Sequence, residues 1–220
     1  MIIAIQARSD SKRFPNKIFQ KINNKTILEN IIDNLKKLNL KIYICSTSRK
    51  IDRKIQDITE KNNCVFFAGN KNNVLKRLYE CAKKNNADWL IRINGDSPLI
   101  SAHIIKKAMN YKKKFTNFDI ITNVFVRTFP KGMSVEIIKT ECLKKLNLMN
   151  LSKINREHVT KYIYQNPNLF KIKNFKSLKN YSSVNLSVDT KKDLKFVKKK
   201  IHIFKNVNSY KKLIYQFKLL

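Results

Sequence analysis

Short apolar runs alternate with amphipathic segments through the first two-thirds of the chain. Residues 2–7 form an apolar run typical of a strand buried on both faces. Thr26 and Glu29 have capping-box spacing, which predicts that a helix begins there. The same patterns predict strands at 41–46, 65–68 and 89–94 and helices at 51–61, 74–85 and 102–113. Repeated strand–helix units indicate an α/β fold with a parallel sheet, helices on both faces and ligands at the carboxyl ends of the strands.

The alternation changes after residue 119. Strand patterns occur at 120–125 and 134–138, and a helix pattern at 156–165. Residues 170–175 and 183–188 resemble a hairpin or return strands, and two lysine-rich helices are predicted at the end. The sequence shows no internal repeat and no domain boundary, so we predict one domain over residues 1–220.

Composition narrows the class of protein. A chain of 220 residues with 43% hydrophobic residues can bury a core, and no apolar run approaches the ~18–20 residues of a membrane span. The apolar start lacks a basic segment and a cleavage site, so it indicates a first strand and not a signal peptide. Four dispersed cysteines form no Cys-x-x-Cys pair, and with three scattered histidines they offer no metal-ligand spacing. We expect reduced, mostly buried thiols and a cytoplasmic location.

The formal net charge of +32 raises the question of a polyanionic partner. Only eight of the 47 basic residues are arginine, and asparagine and isoleucine are abundant as well. Lysine, asparagine and isoleucine share AT-rich codons, so genomic drift explains this composition without a selected partner. The lysines are spread over solvent-facing helix positions, which favours a solvated surface over a nucleic-acid face. The charge would still attract triphosphates.

A basic loop follows the first predicted strand. Arg8, Arg13 and Lys17 lie within residues 8–17, and two of the eight arginines of the chain are among them. Forked arginine donors and a mobile lysine ammonium suit a triphosphate at the ligand-binding edge of the sheet. The alternative is a solvated basic loop. No Gly-x-x-x-x-Gly-Lys-Ser/Thr motif is present, which excludes a P-loop NTPase.

Two aspartates follow strand patterns and precede helix patterns. Asp96 comes directly after residues 89–94 and Gly95, and Asp189 follows residues 183–188. Carboxylates at strand ends suit Mg²⁺, which prefers hard oxygen ligands and substrate phosphates. The alternative for Asp96 is a helix cap. At Gly95 we expect either a positive φ or a close approach of the ligand.

Two further segments mix arginine with acids or hydroxyl groups. Arg127 precedes Glu136, and Arg156 precedes His158. Such mixtures suit recognition of an anionic, polyhydroxylated molecule. The alternative for His158 is a structural hydrogen-bonding role.

In their order and spacing these motifs resemble the cytidylyltransferases related to CMP-Kdo and CMP-sialic acid synthetases, in particular the spore coat polysaccharide biosynthesis protein F branch. The resemblance spans nearly the whole chain. It rests on residues 5–8 with Ser11, Arg13, Pro15 and Lys17; on Gly69 and residues 74–75; on residues 92–93, 95–96 and 98–100; on residues 127–130, Gly132 and residues 135–136; and on residues 156–160, 162–164 and 188–190.

The resemblance implies a nucleotide-diphospho-sugar transferase (GT-A-like) fold, a mixed, mostly parallel sheet with a Rossmann-like N-terminal half. It implies transfer of CMP from CTP to a sugar acid with release of pyrophosphate, for surface polysaccharide or glycan biosynthesis, by a homodimer. The implied catalytic residues are Arg8, Lys17 and Asp96, and Asp96 and Asp189 are the implied ligands of Mg²⁺. The implied substrate-binding residues are Ala7, Ser11, Arg13, Arg92, Gly95, Arg127, Glu136, Arg156 and His158.

Four positions depart from the pattern of these relatives. Asp10 stands where a small residue is usual, Asn16 where glycine is usual, and Lys131 and Ser134 where acids are frequent. An acid at position 10 would repel a triphosphate unless it points away, while asparagine tolerates a left-handed backbone.

Three rival readings remain open at this point. A glycosyltransferase on a similar sheet would use a finished nucleotide-sugar, but such enzymes usually carry Asp-x-Asp, and residues 95–97 lack the second acid. A basic nucleic-acid-binding module would bind with a steep salt dependence. A degenerate relative would bind nucleotide without turnover.

Overall fold

A computed structural model describes residues 1–115 and 117–205, with side chains described as far as residue 199. The strands are β1 (Ile2–Gln6), β2 (Lys21–Ile22), β3 (Lys25–Thr26), β4 (Ile42–Ser46), β5 (Val65–Ala68), β6 (Trp89–Asn94), β7 (Ile120–Thr122), β8 (Glu136–Lys139) and β9 (Ile172–Asn174). The helices are α1 (Ile27–Lys36), α2 (Arg53–Lys61), α3 (Val74–Lys84), α4 (Ala102–Lys114), α5 (Thr140–Leu148), α6 (Lys153–Glu157), α7 (Lys161–Gln165) and α8 (Lys191–Lys205).

Seven strands form one mixed sheet in the order β5-β4-β1-β6-β8-β7-β9. β5, β4, β1 and β6 run parallel, as the alternating N-terminal pattern predicts. β8 is antiparallel to both β6 and β7, and β9 is parallel to β7. The carboxyl ends of β1 and β6 and the amino end of β8 therefore share one edge of the sheet. β2 and β3 form a separate hairpin.

Both faces of the sheet are buried, which explains the continuous apolar runs of the central strands. Ile3 and Ile5 of β1 belong to one core cluster with α1 and α4, and Ile2 and Ala4 belong to the opposite cluster with α3 and α5. Burial of this kind stabilises the fold by about 1.5–3 kcal/mol per large apolar side chain. Because successive side chains of β1 point to opposite faces of the sheet, this one strand packs against both layers of helices.

Asparagine occupies backbone positions with left-handed conformation, where glycine is usually found. Among the described residues, every non-glycine residue with positive φ is an asparagine. Asn23 and Asn24 form the two-residue turn between β2 and β3, and Asn39, Asn63 and Asn86 follow the ends of α1, α2 and α3. A chain with only three glycines therefore still ends its helices sharply.

Local signals explain several element boundaries. The predicted capping box is confirmed: the Thr26 hydroxyl accepts from the Glu29 amide, and the Glu29 carboxylate accepts from the Thr26 amide. Such a cap stabilises a helix by about 1 kcal/mol. The Asn73 side chain caps α3 in the same position.

The part of the chain after residue 119 differs from the sequence prediction in four places. The strand expected at 120–125 ends at Thr122, and the helix expected at 156–165 is two short helices, α6 and α7. Residues 183–188 form no strand beyond one bridge between Lys131 and Asn185, and α5 was not predicted. These segments are short, so tertiary contacts outweigh local propensity there. Of the two expected lysine-rich helices, α8 is present and the second lies outside the described residues.

All four cysteines are free thiols, and three of them are buried, in agreement with the expectation from the sequence. Burial raises the pKa of the Cys142 thiol to about 12. Across residues 1–115 and 117–205, no helix is at once long and apolar enough to cross a bilayer.

Candidate functional site

The loops at the carboxyl ends of β1 and β6 enclose a cavity of about 430 Å³. Nine of the residues singled out in the sequence line it: Ala7, Arg8, Ser11, Arg13, Lys17, Gly95, Asp96, His158 and Asp189. They come from four separate stretches of the chain. The parallel pairing of β1 with β6 brings the basic loop of residues 8–17 next to Gly95 and Asp96.

Asp96 and Asp189 meet around one ammonium group. Lys17 Nζ donates to Asp96 Oδ2 at 3.2 Å and to Asp189 Oδ1 at 2.9 Å, and Arg13 Nη2 lies 3.0 Å from the same Asp189 oxygen. The backbone holds this arrangement, since the Val188 amide donates to the Asp96 carbonyl at 2.8 Å. The two carboxylates, 93 positions apart by their residue numbers, thus form one site.

The alternative role for Asp96 as a helix cap does not apply. α4 has Ser101 at its N-cap position, whereas Asp96 accepts from Lys17 and from the Ser97 hydroxyl. Asp193, by contrast, is the capping acid at the start of α8, where it accepts from the amides of Asp189 and Thr190.

Gly95 is required by the packing of the chain itself. Its amide donates to the Gln6 carbonyl at 3.0 Å, and an added Cβ would lie 2.8 Å from that carbonyl oxygen. The expected positive φ is wrong, since Gly95 does not have one, whereas the close approach of a ligand stays a prediction. The contact between Gly95 and Gln6 brings Asp96 against the loop that follows β1.

The carboxylate pair fits a hard divalent cation. Two oxygens from different segments already lie within 3.2 Å of a single cationic position. Within the part of the chain that the structure describes, no group of three or more His, Cys, Asp or Glu side chains gathers to hold a metal. A Mg²⁺ ion bound by one or two carboxylates takes its remaining ligands from water and substrate phosphates. Asp96 and Asp189 are the residues that would hold it.

A buried aspartate that the sequence analysis missed fixes the loop after β1. Asp52 is fully buried and accepts from the Ser9 amide at 2.9 Å, from the Ser9 hydroxyl at 2.6 Å, and from Thr47 and Arg49. Burial would raise the pKa of Asp52, but these hydrogen bonds outweigh it and hold the pKa below its ordinary value. No local signal shows that Asp52 holds the loop after β1, because Ser9 belongs to a different strand–loop unit, 43 positions away.

Asp10 is the acid that would repel a triphosphate if its charge were unpaired, but two arginines neutralise it. Its carboxylate pairs with Arg49 and lies 3.6 Å from Arg8 Nε, and the hydrogen bond from Arg49 lowers its pKa. Asn16 has φ 57° and donates its amide to the Ser9 carbonyl, so it fills the left-handed position expected from the sequence. Both departures are compatible with an intact loop.

A second cavity of about 510 Å³ adjoins the first, and Asn94 and His158 line both. Three predicted residues, Arg92, Arg127 and Glu136, also line it. Arg127 Nη2 donates to the Ser134 hydroxyl at 3.1 Å, whereas Arg127 Nη1 and Asn94 Oδ1 are buried without a partner among the described residues. A buried unpaired polar group costs about 1–3 kcal/mol, so a partner from a ligand or an ordered water would stabilise these two atoms.

Glu136 is a buried carboxylate that lines this second cavity. Its carboxylate pairs with Arg92 and accepts from Thr160 at 2.7 Å and from Tyr164 at 2.6 Å. Burial would raise the pKa of Glu136, but the charge of Arg92 and the hydrogen bonds outweigh it and hold the pKa below its ordinary value. Burial and the adjacent Glu136 charge raise the pKa of Tyr164. Glu136 is saturated by protein groups and positions Arg92 and α7.

Arg156 does not reach either cavity. Its Nε donates to the Leu151 carbonyl at 3.0 Å, within its own segment. The neighbouring Glu157, which lies in the same motif but was not predicted as a site residue, instead accepts from Arg8 Nη2 at 2.8 Å. Because α6 ends at Glu157, the following turn directs His158 toward both cavities.

Comparisons with known proteins identify the relatives of the chain. An uncharacterized protein of Methanocaldococcus jannaschii is 36% identical over 196 residues, covering 87% of this chain and 79% of that protein. Spore coat polysaccharide biosynthesis protein SpsF of Bacillus subtilis is 21% identical over 208 residues, covering 90% of this chain and 85% of that protein. The 3-deoxy-manno-octulosonate cytidylyltransferase of Rickettsia prowazekii is 30% identical over 127 residues, covering 56% of this chain and 50% of that protein.

Solved structures share the fold. A cytidylyltransferase from Leptospira borgpetersenii superimposes with a TM-score of 0.92 at 32% identity, covering 99% of this chain and 93% of that one. A CMP-2-keto-3-deoxy-manno-octonic acid synthetase solved with CTP has a TM-score of 0.70 at 14% identity, covering 91% and 98%, which shows the fold alone. The predicted nucleotide-sugar transferase type of fold is thereby confirmed. A model of the cytidylyltransferase family matches residues 2–218, and the chain belongs to that family.

Proposed function

We propose that this cytidylyltransferase transfers CMP from CTP to a hydroxyl group of a sugar acid and releases pyrophosphate. One observation carries the proposal: a cationic cavity with a carboxylate pair adjoins a second cavity lined by Arg127, whose guanidinium group forms no ion pair with a described residue. The first suits a triphosphate, and the second suits an anionic acceptor. Asn94 and His158 lie where the two substrates would meet.

The loop after β1 supplies the charge for the triphosphate. Arg8, Arg13 and Lys17 line the first cavity, and the loop that bears them is fixed by Asp52. In an in-line transfer the acceptor hydroxyl oxygen forms a bond to the α-phosphorus, the bond to pyrophosphate breaks, and the hydroxyl proton is released to solvent. Cationic side chains held in advance stabilise the charge that develops on the leaving pyrophosphate. These residues therefore position and neutralise the triphosphate.

Asp96 and Asp189 are proposed to hold Mg²⁺ during turnover. Bound there, the ion supplies Lewis-acid polarisation of the α-phosphate and favours ionisation of the acceptor hydroxyl. The side chains of both aspartates are 26% exposed, so they are open to the cavity.

Arg127 is the proposed contact for the acceptor carboxylate. Burial lowers the pKa of its guanidinium group, which nevertheless remains charged. One of its nitrogens donates to the neutral Ser134 hydroxyl, and the guanidinium group forms no ion pair with a described residue. A carboxylate on the acceptor supplies the missing partner.

The test is a pyrophosphate-release assay of the purified protein with each nucleoside triphosphate, Mg²⁺ and a panel of sugar acids with matched neutral sugars. We expect release with CTP and at least one sugar acid, and none with the neutral analogue. If no combination releases pyrophosphate, the proposed transfer is wrong, and a CTP titration then tests the alternative of a relative that binds nucleotide without turnover. Transfer of a sugar from a finished nucleotide-sugar would support the glycosyltransferase alternative.

Arg13→Ala is expected chiefly to weaken nucleotide binding and to raise the KM for CTP about tenfold, the lower end of the effect of losing a charge-assisted contact of about 1.5–3 kcal/mol. The Arg13 side chain is 69% exposed, so its removal leaves the core intact. Steady-state kinetics with varied CTP measure the effect. Arg53→Ala, an exposed arginine outside this cavity, is the control; equal KM values for the two variants would contradict the assignment.

Arg127→Met is expected to raise the KM for the sugar acid about 10- to 100-fold and to leave the KM for CTP unchanged. Ser134→Asp should act in the same direction, because an added carboxylate beside Arg127 Nη2 would compensate its charge. Kinetics with each substrate varied in turn distinguish the two sites. An unchanged acceptor KM in both variants would show that the carboxylate binds elsewhere.

The homodimer, the cytoplasmic location, the role in surface polysaccharide or glycan biosynthesis and the absence of a nucleic-acid partner stay predictions. Sedimentation analysis of the purified protein tests the dimer.

A further inference from the structure

Lys17 occupies the position between the two carboxylates where a divalent cation would bind. Its ammonium nitrogen is 3.2 Å from Asp96 Oδ2 and 2.9 Å from Asp189 Oδ1, and its side chain is only 10% exposed. With Arg13 3.0 Å from Asp189, two cations face two carboxylates. The site is therefore charge-balanced without a metal.

The backbone of Lys17 is held in the core. Lys17 begins a 3₁₀ turn that ends at Phe19, its amide donates to the Phe14 carbonyl, and both Phe14 and Ile18 are buried. Asn16 enters this turn from the left-handed region. The ammonium group thus extends from a fixed base, and only its flexible side chain has to move for the carboxylates to be released.

We infer that Lys17 is a positioning residue that holds Asp96 and Asp189 together in place of the metal, so that a divalent cation binds there only together with a nucleotide. The inference rests on the metal site of the proposed function. A divalent cation added alone would leave the site with two uncompensated positive charges, in a protein of formal net charge +32. A triphosphate entering the same cavity attracts the Lys17 ammonium and supplies the negative charge that balances the metal. Nucleotide and metal binding are then coupled.

Direct titration with Mn²⁺ in the absence of nucleotide tests the inference, because Mn²⁺ takes the same oxygen ligands and its free concentration is measured by electron paramagnetic resonance. The wild type is expected to bind Mn²⁺ weakly. Lys17→Met and Lys17→Gln should each bind it at least about tenfold more tightly, since removing the ammonium charge leaves one of the two carboxylate charges uncompensated. Lys17→Gln retains a hydrogen-bond donor for the carboxylates and serves if Lys17→Met does not fold.

Lys12→Met is the matched control, since Lys12 lines the same cavity without contacting either carboxylate. It loses the same charge and should bind Mn²⁺ as the wild type does. Adding Asp96→Asn to Lys17→Gln should remove the gain, which locates the ion at the carboxylate pair. If the Lys17 variants bind Mn²⁺ no more tightly than Lys12→Met, or if the wild type already binds as tightly as they do, the inference is wrong.

The Mn²⁺ titration and the pyrophosphate-release assay test the role of Lys17 and the proposed reaction separately. A gain in Mn²⁺ affinity without pyrophosphate release would uphold the role of Lys17 and reject the reaction. Pyrophosphate release that requires Mg²⁺, together with no gain in the Lys17 variants, would uphold the reaction and reject the role of Lys17.

Discussion

Asp96→Asn is expected to lower kcat by at least about 100-fold while the protein remains folded, since it removes a proposed metal ligand from the reacting centre. The backbone contact of residue 96 with the Val188 amide does not depend on the side chain, and Asp189 remains as a partner for Lys17. Initial rates of pyrophosphate release at saturating CTP measure the effect, and a thermal melt reports on the fold.

Asp33→Asn is the matched control for this prediction. Asp33 lies on α1 and pairs with Lys25 at 2.6 Å, away from both cavities. Its substitution should leave the rate of pyrophosphate release unchanged. Near-normal turnover in Asp96→Asn would refute the metal assignment, and so would an equal loss in both variants.

Glu136→Gln is expected to destabilise the protein by about 3–5 kcal/mol, because removing one partner of a buried ion pair leaves the other charge uncompensated. Glu136 is 3% exposed and the Arg92 side chain 10% exposed, so water screens their pairing little. Gln6 Oε1, 2.9 Å from Arg92 Nε, would remain as a neutral acceptor. Urea denaturation at pH 7 measures the change in the free energy of unfolding.

The same pair makes stability depend on pH. The folded-state pKa of Glu136 lies below the ordinary value of 4.5, so its contribution is present above pH ~4.5 and is lost as the pH falls through the folded-state pKa. The wild type should therefore lose stability toward acid more steeply than Glu136→Gln does. The comparison requires denaturation curves at several pH values between about 3 and 7.

Glu157→Gln serves as the control for the buried pair. The ion pair of Glu157 with Arg8 is 36–44% exposed, and such pairs contribute about 0–1 kcal/mol. A loss as large in Glu157→Gln as in Glu136→Gln would show that burial of the Arg92 pair is not the cause.

The N-terminal half illustrates what a sequence predicts well. β5 and β6 match the predicted strands residue for residue, and α1 begins at its predicted capping box. Long apolar runs and amphipathic helices bury large areas whatever their exact neighbours, so their periodicity alone specifies them. The position of the loop after β1 at the ligand-binding edge could also be predicted, since a parallel sheet places its strand-end loops at one edge.

Contacts between distant segments could not be predicted in this way. Glu136 is paired with Arg92, and Arg8 is linked to Glu157, across 44 and 149 positions of the chain. Nor could the sequence show that Asp10 pairs with Arg49, a residue from the next strand–loop unit. Such pairs have no periodicity of their own, because their partners are chosen by the order of strands and not by spacing in the chain.

By itself, the sequence determined the parallel N-terminal sheet, the asparagine at the left-handed position 16, the cationic loop after β1 and the acids at positions 96 and 189. Only the tertiary structure decided that the two acids converge on Lys17, that Asp52 fixes the cationic loop, that Arg156 binds its own segment, and that Arg127 has an unpaired nitrogen. Local composition dictates how a segment folds and which charges it carries. The partners of those charges depend on which segments the core brings together.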